Sequence, residues 1–127
     1  MNSGQERVER RLVGRAIRLS PLDPLGGYFT GGLALANLIA RRYEEASEWA
    51  AQSLYELPRY THAIRTKVVC CAHLGLIAES HNWVRRLLEL QPSSTIGKWK
   101  ANAVRFFPPE IITLYVDGLR KAGLPEE

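Results

Sequence analysis

Cysteine and histidine side chains cluster in one stretch of the chain, where they could ligate a metal ion or form a nucleophilic site. Cys70 and His73 are three residues apart, which places them on one face of a helix, and His62 and His81 are nearby. No Cys-x2-Cys or His-x3-His pair completes a ligand set, and neither oxyanion donors nor an orienting acid can be assigned. We therefore expect Cys70 and Cys71 to be small buried residues, with a metal or small enzyme site around Cys70 and His73 as the alternative.

Two glycine pairs could be read as a phosphate-binding loop. Gly26-Gly27 and Gly31-Gly32 have neither the Gly-x4-Gly-Lys-Ser/Thr frame nor Gly-x-Gly-x2-Gly after a strand. We expect these glycines to let a neighbouring helix approach closely.

Basic residues could contact nucleic acid at three places, Arg41-Arg42, Arg85-Arg86 and Lys98-Trp99-Lys100. The net charge of +4 is mild, and residues 1–20 alone carry five arginines against two glutamates. A nucleic-acid binder usually concentrates its positive charge more strongly on one surface. We expect solvated helix faces at these sites, and a nucleic-acid-binding helical domain remains a further alternative.

The composition is that of an ordinary globular domain. The 127 residues are 46% hydrophobic and 24% charged, which excludes a disordered tail or a low-complexity linker. The polar N-terminus has no apolar signal-peptide core, and the longest apolar run, residues 33–40, is too short to span a bilayer. Two adjacent cysteines provide no disulfide framework. These features predict a cytoplasmic protein with no membrane contact.

The elements that would position these side chains recur with a period of 34 residues. The matching pairs are Glu45 and Glu79, Ala46 and Ser80, Trp49 and Trp83, Leu54 and Leu88, and Pro58 and Pro92. Pro21 is the equivalent proline of the first unit, followed by a three-residue insertion. A period of this length indicates stacked helical repeats.

The apolar spacing within each unit is helical. The residues Ala46, Trp49, Ala50, Ser53, Leu54 and Leu57 fall on one helix face, and the stripe from Ser80 to Leu88 repeats them. Expected caps and stops are Thr61, one of Ser93, Ser94 or Thr95, the Pro108-Pro109 break, Gly75 and Gly123. We predict an all-α, right-handed stack of about seven helices in a single domain over 1–127, comprising a half repeat at 1–21, repeats at 27–58 and 61–92, and a degenerate capping pair at 95–122.

These residues resemble the tetratricopeptide repeat (TPR), a 34-residue helix-turn-helix unit with a terminal proline. The resemblance is carried by Leu33-Ala34, Tyr43-Glu44-Glu45-Ala46 and Pro58, and then by Gly75, Ile77, Glu79, Ser80 and Pro92. Two departures are Thr30 and Ile64 near the usual tryptophan position, and Lys67-Val68 in place of Leu-Gly.

A narrower resemblance is to the C-terminal repeat region of bacterial class III adenylate/guanylate cyclases, common in rhizobia. The matching segments are Leu19-Ser-Pro-Leu-Asp-Pro24, Thr30-Gly-Gly-Leu-Ala-Leu-Ala36, Arg42-Tyr-Glu-Glu-Ala46 and Gly118-Leu-Arg-Lys-Ala-Gly-Leu-Pro125. The cyclase catalytic domain lies upstream in those proteins and has no counterpart in this sequence. The resemblance implies a regulatory or scaffold tail without cyclase activity.

In TPR proteins the first helix of each pair lines a concave surface that receives a peptide. The resemblance therefore places partner-binding residues on the first helix of each pair, and we call these three rows of residues ridges. They are Tyr28, Leu35 and Ile39; His62, Arg65, Val69 and His73; and Ile96, Trp99 and Ala103. Such a mixture suits an extended peptide with an acidic or C-terminal carboxylate group. Simple packing against neighbouring helices is the alternative. Gly31 and Leu35 stand where a Lys and Asn carboxylate clamp would need polar groups.

The first predicted helix lacks a partner within its pair. Its apolar face, Val8, Leu12, Ala16 and Leu19, is expected to be partly uncovered in a monomer, which favours a homodimer through this helix. Altogether the sequence predicts a non-catalytic protein- or peptide-binding scaffold that requires no cofactor and no metal. It also predicts that the N-terminus is the point of separation from a longer protein.

Overall fold

The computed structural model describes the backbone of residues 24–127 and side chains from residue 26 onward. Within this range the protein is all-helical and contains no strand. The six helices are α1 (Pro24–Ile39), α2 (Tyr43–Glu56), α3 (Thr61–His73), α4 (Ile77–Leu90), α5 (Ile96–Ala103) and α6 (Pro109–Lys121). The all-α prediction is thereby confirmed for residues 24–127. The predicted seventh helix, the half repeat at 1–21 and the dimer face lie outside the described residues.

Three of the six helices, α1, α3 and α6, are followed by a residue in the left-handed region of backbone space. Gly75, with φ of 80°, separates α3 from α4, and Gly123, with φ of 88°, follows α6, both as predicted. Arg41, with φ of 61°, occupies the equivalent position after α1, where the sequence offers no glycine. Pro109 begins α6 because a proline in the first helical turn has no backbone hydrogen bond to lose.

The start of α5 matches one of the predicted caps, and the start of α3 does not. Thr95 is the N-cap of α5, and its hydroxyl accepts a hydrogen bond from the Lys98 backbone N–H at 3.1 Å. Thr61 was the expected cap of α3, but it is the first helical residue and Tyr60 precedes it without a side-chain cap. The Thr61 hydroxyl instead accepts from Gln91 Nε2 at 3.5 Å.

The predicted apolar stripes form the interfaces between helices. The buried residues of α2 are Ala46, Trp49, Ala50, Ser53 and Leu54, and those of α4 are Ser80, Val84 and Leu87. Leu57, the last residue of the first predicted stripe, is the C-cap of α2 and is only partly buried. The buried serines are satisfied across the interfaces, because Ser53 Oγ donates to the Gly27 carbonyl at 2.7 Å and Ser80 Oγ to the Val68 carbonyl at 2.9 Å.

Helix α3 is the centre of the structure. It packs against α1, α2, α4 and α6, and nine of its residues, from Ala63 to Ala72, are buried. Helix α5 packs on α6, and α6 in turn packs on α3. The third helix pair therefore does not repeat the packing of the first two, because α6 occupies a face of α3.

One cation is buried within this core. Lys67, on α3, is only 8% exposed, and its ammonium donates to the Ser47 hydroxyl at 2.7 Å and to the Ser47 carbonyl at 3.2 Å. Ser47, on α2, thus supplies two neutral oxygens to a lysine that has little access to water.

The C-terminal residues fold back onto α5. The carbonyls of Pro125 and Glu126 accept hydrogen bonds from the Ile96 and Gly97 N–H groups, at 2.9 and 3.0 Å. Arg120 forms an ion pair with the Glu126 carboxylate. These last residues, which we call the C-terminal strap (residues 124–126), satisfy two backbone N–H donors at the start of α5 that have no partner within the helix.

Candidate functional site

Helices α1, α3, α5 and α6 surround one groove with a volume of about 760 Å³. The aromatic side chains along it are Tyr28, Tyr60, Trp99, Phe106, Phe107 and Tyr115. Its basic and polar side chains include His62, Arg65, Gln91, Thr95 and Lys98. Neither aspartate nor glutamate lines this groove in the described part of the chain.

The structure brings five of the eight predicted partner-binding residues to this groove: Tyr28, Leu35, His62, Arg65 and Trp99. They come from α1, α3 and α5, the first helices of the three predicted pairs. From the third ridge, Ala103 also lines the groove, whereas Ile96 is buried outside it.

The other three predicted residues lie elsewhere. Val69 is fully buried against α6, and His73 Nε2 hydrogen bonds to the Leu114 carbonyl at 2.9 Å. The His73 ring also stacks on Tyr43, with ring centres 5.0 Å apart. Ile39, at the end of α1, is partly exposed but does not line the groove. Val69 and His73 lie outside the groove because α6 covers the C-terminal half of α3.

Parallel rings form one side of the groove. Trp99 stacks on Tyr115 with ring centres 4.6 Å apart, and Phe107 stacks on Tyr115 at 6.3 Å. The Tyr115 hydroxyl is 3.1 Å from the Thr66 hydroxyl, and burial raises the pKa of Tyr115 to about 12. This ring stack (Trp99, Phe107 and Tyr115) is therefore fixed in place by packing and by a hydrogen bond to α3.

Other rings of the groove are open to a partner. Phe106 is 72% exposed and Tyr28 is 52% exposed, which is unusual for large apolar side chains that line a concavity. Tyr28 contacts Tyr60 edge to face, with ring centres 5.0 Å apart. Phe106 and Tyr28 therefore present exposed aromatic surface within the lining of the groove.

Two cationic side chains of the groove are held by neutral partners. Arg65 donates to Gln91 Oε1 at 3.0 Å, and Lys98 Nζ donates to the Ser93 carbonyl at 3.0 Å. Burial lowers the pKa of Arg65. Burial also lowers the pKa of His62, and the Arg65 charge lowers it further, which favours the neutral imidazole.

Several groove residues could not be predicted from the first helices of the repeat pairs. Gln91 and Phe107 lie outside the first helices of the pairs, and Tyr115 belongs to α6, whose position on α3 the sequence does not indicate. Lys98 stands out in the sequence only as part of a basic tripeptide. The pair of aromatic residues immediately before Pro108 is the available sequence signal for Phe106 and Phe107.

The cysteines occupy the core. Cys70 and Cys71 are both unexposed free thiols, as expected. Burial raises the pKa of Cys70 to about 12 and also raises that of Cys71, so that both remain thiols near neutral pH. Within residues 24–127, no three His, Cys, Asp or Glu side chains are grouped so that they could hold a metal ion.

The glycine pairs are only partly explained by close packing. A Cβ atom on Gly27 would lie 2.5 Å from Leu57 Cγ, and one on Gly31 would lie 2.8 Å from Tyr60 Cε2. The expectation of a close approach is therefore confirmed at these two positions. At Gly32 it is wrong, because a Cβ atom there would meet nothing within 4 Å.

The arginine pair of α4 has local partners. Arg86 forms an ion pair with Glu89 at 3.3 Å, and Arg85 donates to Asn82 Oδ1. These contacts are those of an exposed helix surface.

The chain matches no protein-family profile, no curated protein and no solved structure. Helices long and apolar enough to cross a membrane are not found in the described part of the chain.

Proposed function

We propose that this protein is a non-catalytic binding module whose groove holds an extended segment of a partner protein. Its helix pairs would act as a TPR-like scaffold, related to the interaction tails of bacterial cyclases that the sequence resembles. The observation that carries the proposal is that α1, α3 and α5 contribute side chains to one groove. These are the helices that line the peptide-binding face in the repeat family.

The chemistry of the groove supports a peptide ligand. Exposed rings, such as those of Tyr28 and Phe106, supply apolar contact area, whereas Arg65, Gln91 and Lys98 supply hydrogen-bond donors. Peptide recognition commonly combines apolar anchors with a few polar contacts that fix orientation.

The same groove offers little for catalysis. Its described lining has no carboxylate that could serve as a general acid or base, and the two core thiols do not reach it. Within that described lining, His62 is the one group whose ordinary pKa is near neutrality. A binding function requires none of these groups to react.

The proposal is tested by selecting peptides from a displayed library of random 12-residue segments and measuring their affinity for groove variants. We expect Tyr28→Ala and Lys98→Gln each to weaken binding at least fivefold, because both residues line the groove. The matched controls are Tyr55→Ala, at an 80% exposed tyrosine of α2, and Lys100→Gln, two residues after Lys98 and also outside the groove. Peptides that bind the groove variants as tightly as the wild type would contradict the proposal.

A homodimer through the N-terminal helix and a cytoplasmic location stay predictions from the sequence. Size-exclusion chromatography with light scattering tests the first of them. A strict monomer at high protein concentration would count against the dimer.

A further inference from the structure

We propose that Arg65 forms an anion subsite in the groove, which receives a carboxylate side chain from the interior of the partner segment. A neighbouring aromatic or aliphatic side chain of that segment would lie on the ring stack. This inference rests on the proposed peptide-binding function and names the chemistry of the peptide.

The first support is the state of Arg65 in the free protein. Its side chain is half-buried, and burial lowers its pKa because a charge is disfavoured away from water. The described hydrogen bond of its guanidinium is with the neutral Gln91 side chain, although this group has five N–H donors. Among residues 24–127 no carboxylate is paired with this partly desolvated cation, and an incoming carboxylate would lower the cost of burying its charge.

The second support is the charge of the surrounding surface. Lys98 adds a second cation to the groove, and the described lining contains no acidic side chain that would repel an anion. An arginine fork can also bind both oxygens of a carboxylate, which gives directional recognition as well as attraction.

The third support is the proximity of the subsite to aromatic surface. Tyr115 is close enough to Arg65 to affect its pKa electrostatically, and Trp99 stacks on Tyr115. A carboxylate at Arg65 would therefore have rings beside it, and an adjacent apolar residue of the peptide could bury its side chain there.

The position of Arg65 along the groove favours an internal residue of the peptide. Arg65 lies on α3, and the groove extends from it towards Tyr28 on α1 and towards Trp99 on α5. A segment that fills the groove would therefore extend beyond Arg65 on both sides. Its anchor would then be an aspartate or glutamate side chain and not a chain end.

The test compares two displayed libraries of random 12-residue segments. In one library both ends of the segment are fused to the carrier, and in the other the segment ends in a free carboxylate. We expect the fused library to yield binders that share Asp or Glu within two positions of an aromatic or aliphatic residue.

A double-mutant cycle then identifies the side chain that recognises the acid. Replacing the shared Asp or Glu of a selected peptide by Asn or Gln should weaken binding to the wild type about tenfold, but less than twofold for Arg65→Gln. Arg65→Lys, which keeps the charge without the fork, should give an intermediate loss. Arg105→Gln, at an exposed arginine outside the groove, should behave as the wild type.

Circular dichroism establishes that each variant is folded, and the cycle is completed with Arg65→Lys if Arg65→Gln does not fold.

The outcomes separate this inference from the function on which it rests. If neither library yields binders that depend on Tyr28, the peptide-binding function fails and the subsite with it. If binders depend on Tyr28 but share no acid, or the cycle shows no coupling, only the Arg65 subsite fails. Binders that come solely from the library with free carboxylates would overturn the internal placement.

Discussion

Gly118 and Val69 pack in direct contact where α6 crosses α3. A Cβ atom on Gly118 would lie 2.8 Å from Val69 Cγ1 and 3.0 Å from Val69 Cα. Because the second of these atoms is backbone, the contact cannot be relieved by turning a side chain. Close contact between the two helices thus depends on the absence of a side chain at position 118.

Gly118→Ala should therefore lower the free energy of unfolding. Overpacking costs about 1–3 kcal/mol, whereas the better helix propensity of alanine returns about 1 kcal/mol. We expect a net loss of up to about 2 kcal/mol in urea denaturation. Gly32→Ala is the matched control, because it is also helical and a Cβ atom there meets nothing. It should stabilise the protein by up to about 1 kcal/mol. Equal effects of the two substitutions would show that the contact is not tight.

Removing the Ser47 hydroxyl should lower the free energy of unfolding more when Lys67 is present than when Lys67 has been replaced by an apolar residue. Ser47→Ala removes the hydroxyl acceptor at 2.7 Å and should cost about 1–3 kcal/mol, since a buried cation loses a hydrogen bond. Lys67→Met keeps the apolar volume and removes the charge, so that adding Ser47→Ala to it should cost much less. Denaturation of the two single variants and the double variant measures this coupling. Additive losses would contradict a specific interaction between Ser47 and Lys67.

Stability should decline at alkaline pH because of the buried thiols. The pKa of Cys70 is about 12 in the folded chain, whereas an unfolded thiol ionises near 9. Stability from this group is thus complete below pH 9 and is lost as the pH rises towards 12, by about 1.4 kcal/mol per pH unit. Urea denaturation at pH 8 and pH 10 should show a smaller loss for Cys70→Ala than for the wild type. Parallel declines would mean that Cys70 is not the titrating group.

The C-terminal strap should hold the start of α5. Deleting residues 125–127 removes the two carbonyl acceptors of the Ile96 and Gly97 N–H groups, each hydrogen bond being worth about 1 kcal/mol. We expect faster hydrogen exchange at these two amides and unchanged exchange in α3. Removal of Glu127 alone is the control, since neither acceptor is lost. Unchanged exchange at Ile96 and Gly97 after the longer deletion would contradict a capping role.

The local features of the fold were predictable from the sequence. The spacing of Ala46, Trp49 and Ser53 indicated the buried face of α2, because helical periodicity depends on residue type at fixed intervals. Gly75 and Gly123 marked helix ends for a local reason as well, since the left-handed conformation favours glycine. The prediction for Thr61 was wrong because a threonine after a proline turn fits both a cap and a first helical residue.

The position of α6 was not predictable from such signals. Residue spacing within α6 does not identify α3 as its neighbour, because the pairing with Val69 depends on three-dimensional fit at Gly118. This one placement moved Val69 and His73 away from the candidate site and brought Tyr115 into it. Tyr28 and Arg65, by contrast, line the groove from α1 and α3, two of the helices to which the family resemblance assigned the site residues.

The contact between α3 and α6 also determines the order in which the chain can assemble. The Thr66–Tyr115 pair spans 49 residues and the His73–Leu114 pair spans 41, whereas α1 to α4 associate mainly between sequential neighbours. Closing a long loop is slow relative to local pairing, so that α6 should dock after the first four helices have formed. Substitutions at this contact would then act mainly on the unfolding rate, and the lifetime of the closed groove would be set by how often α6 detaches.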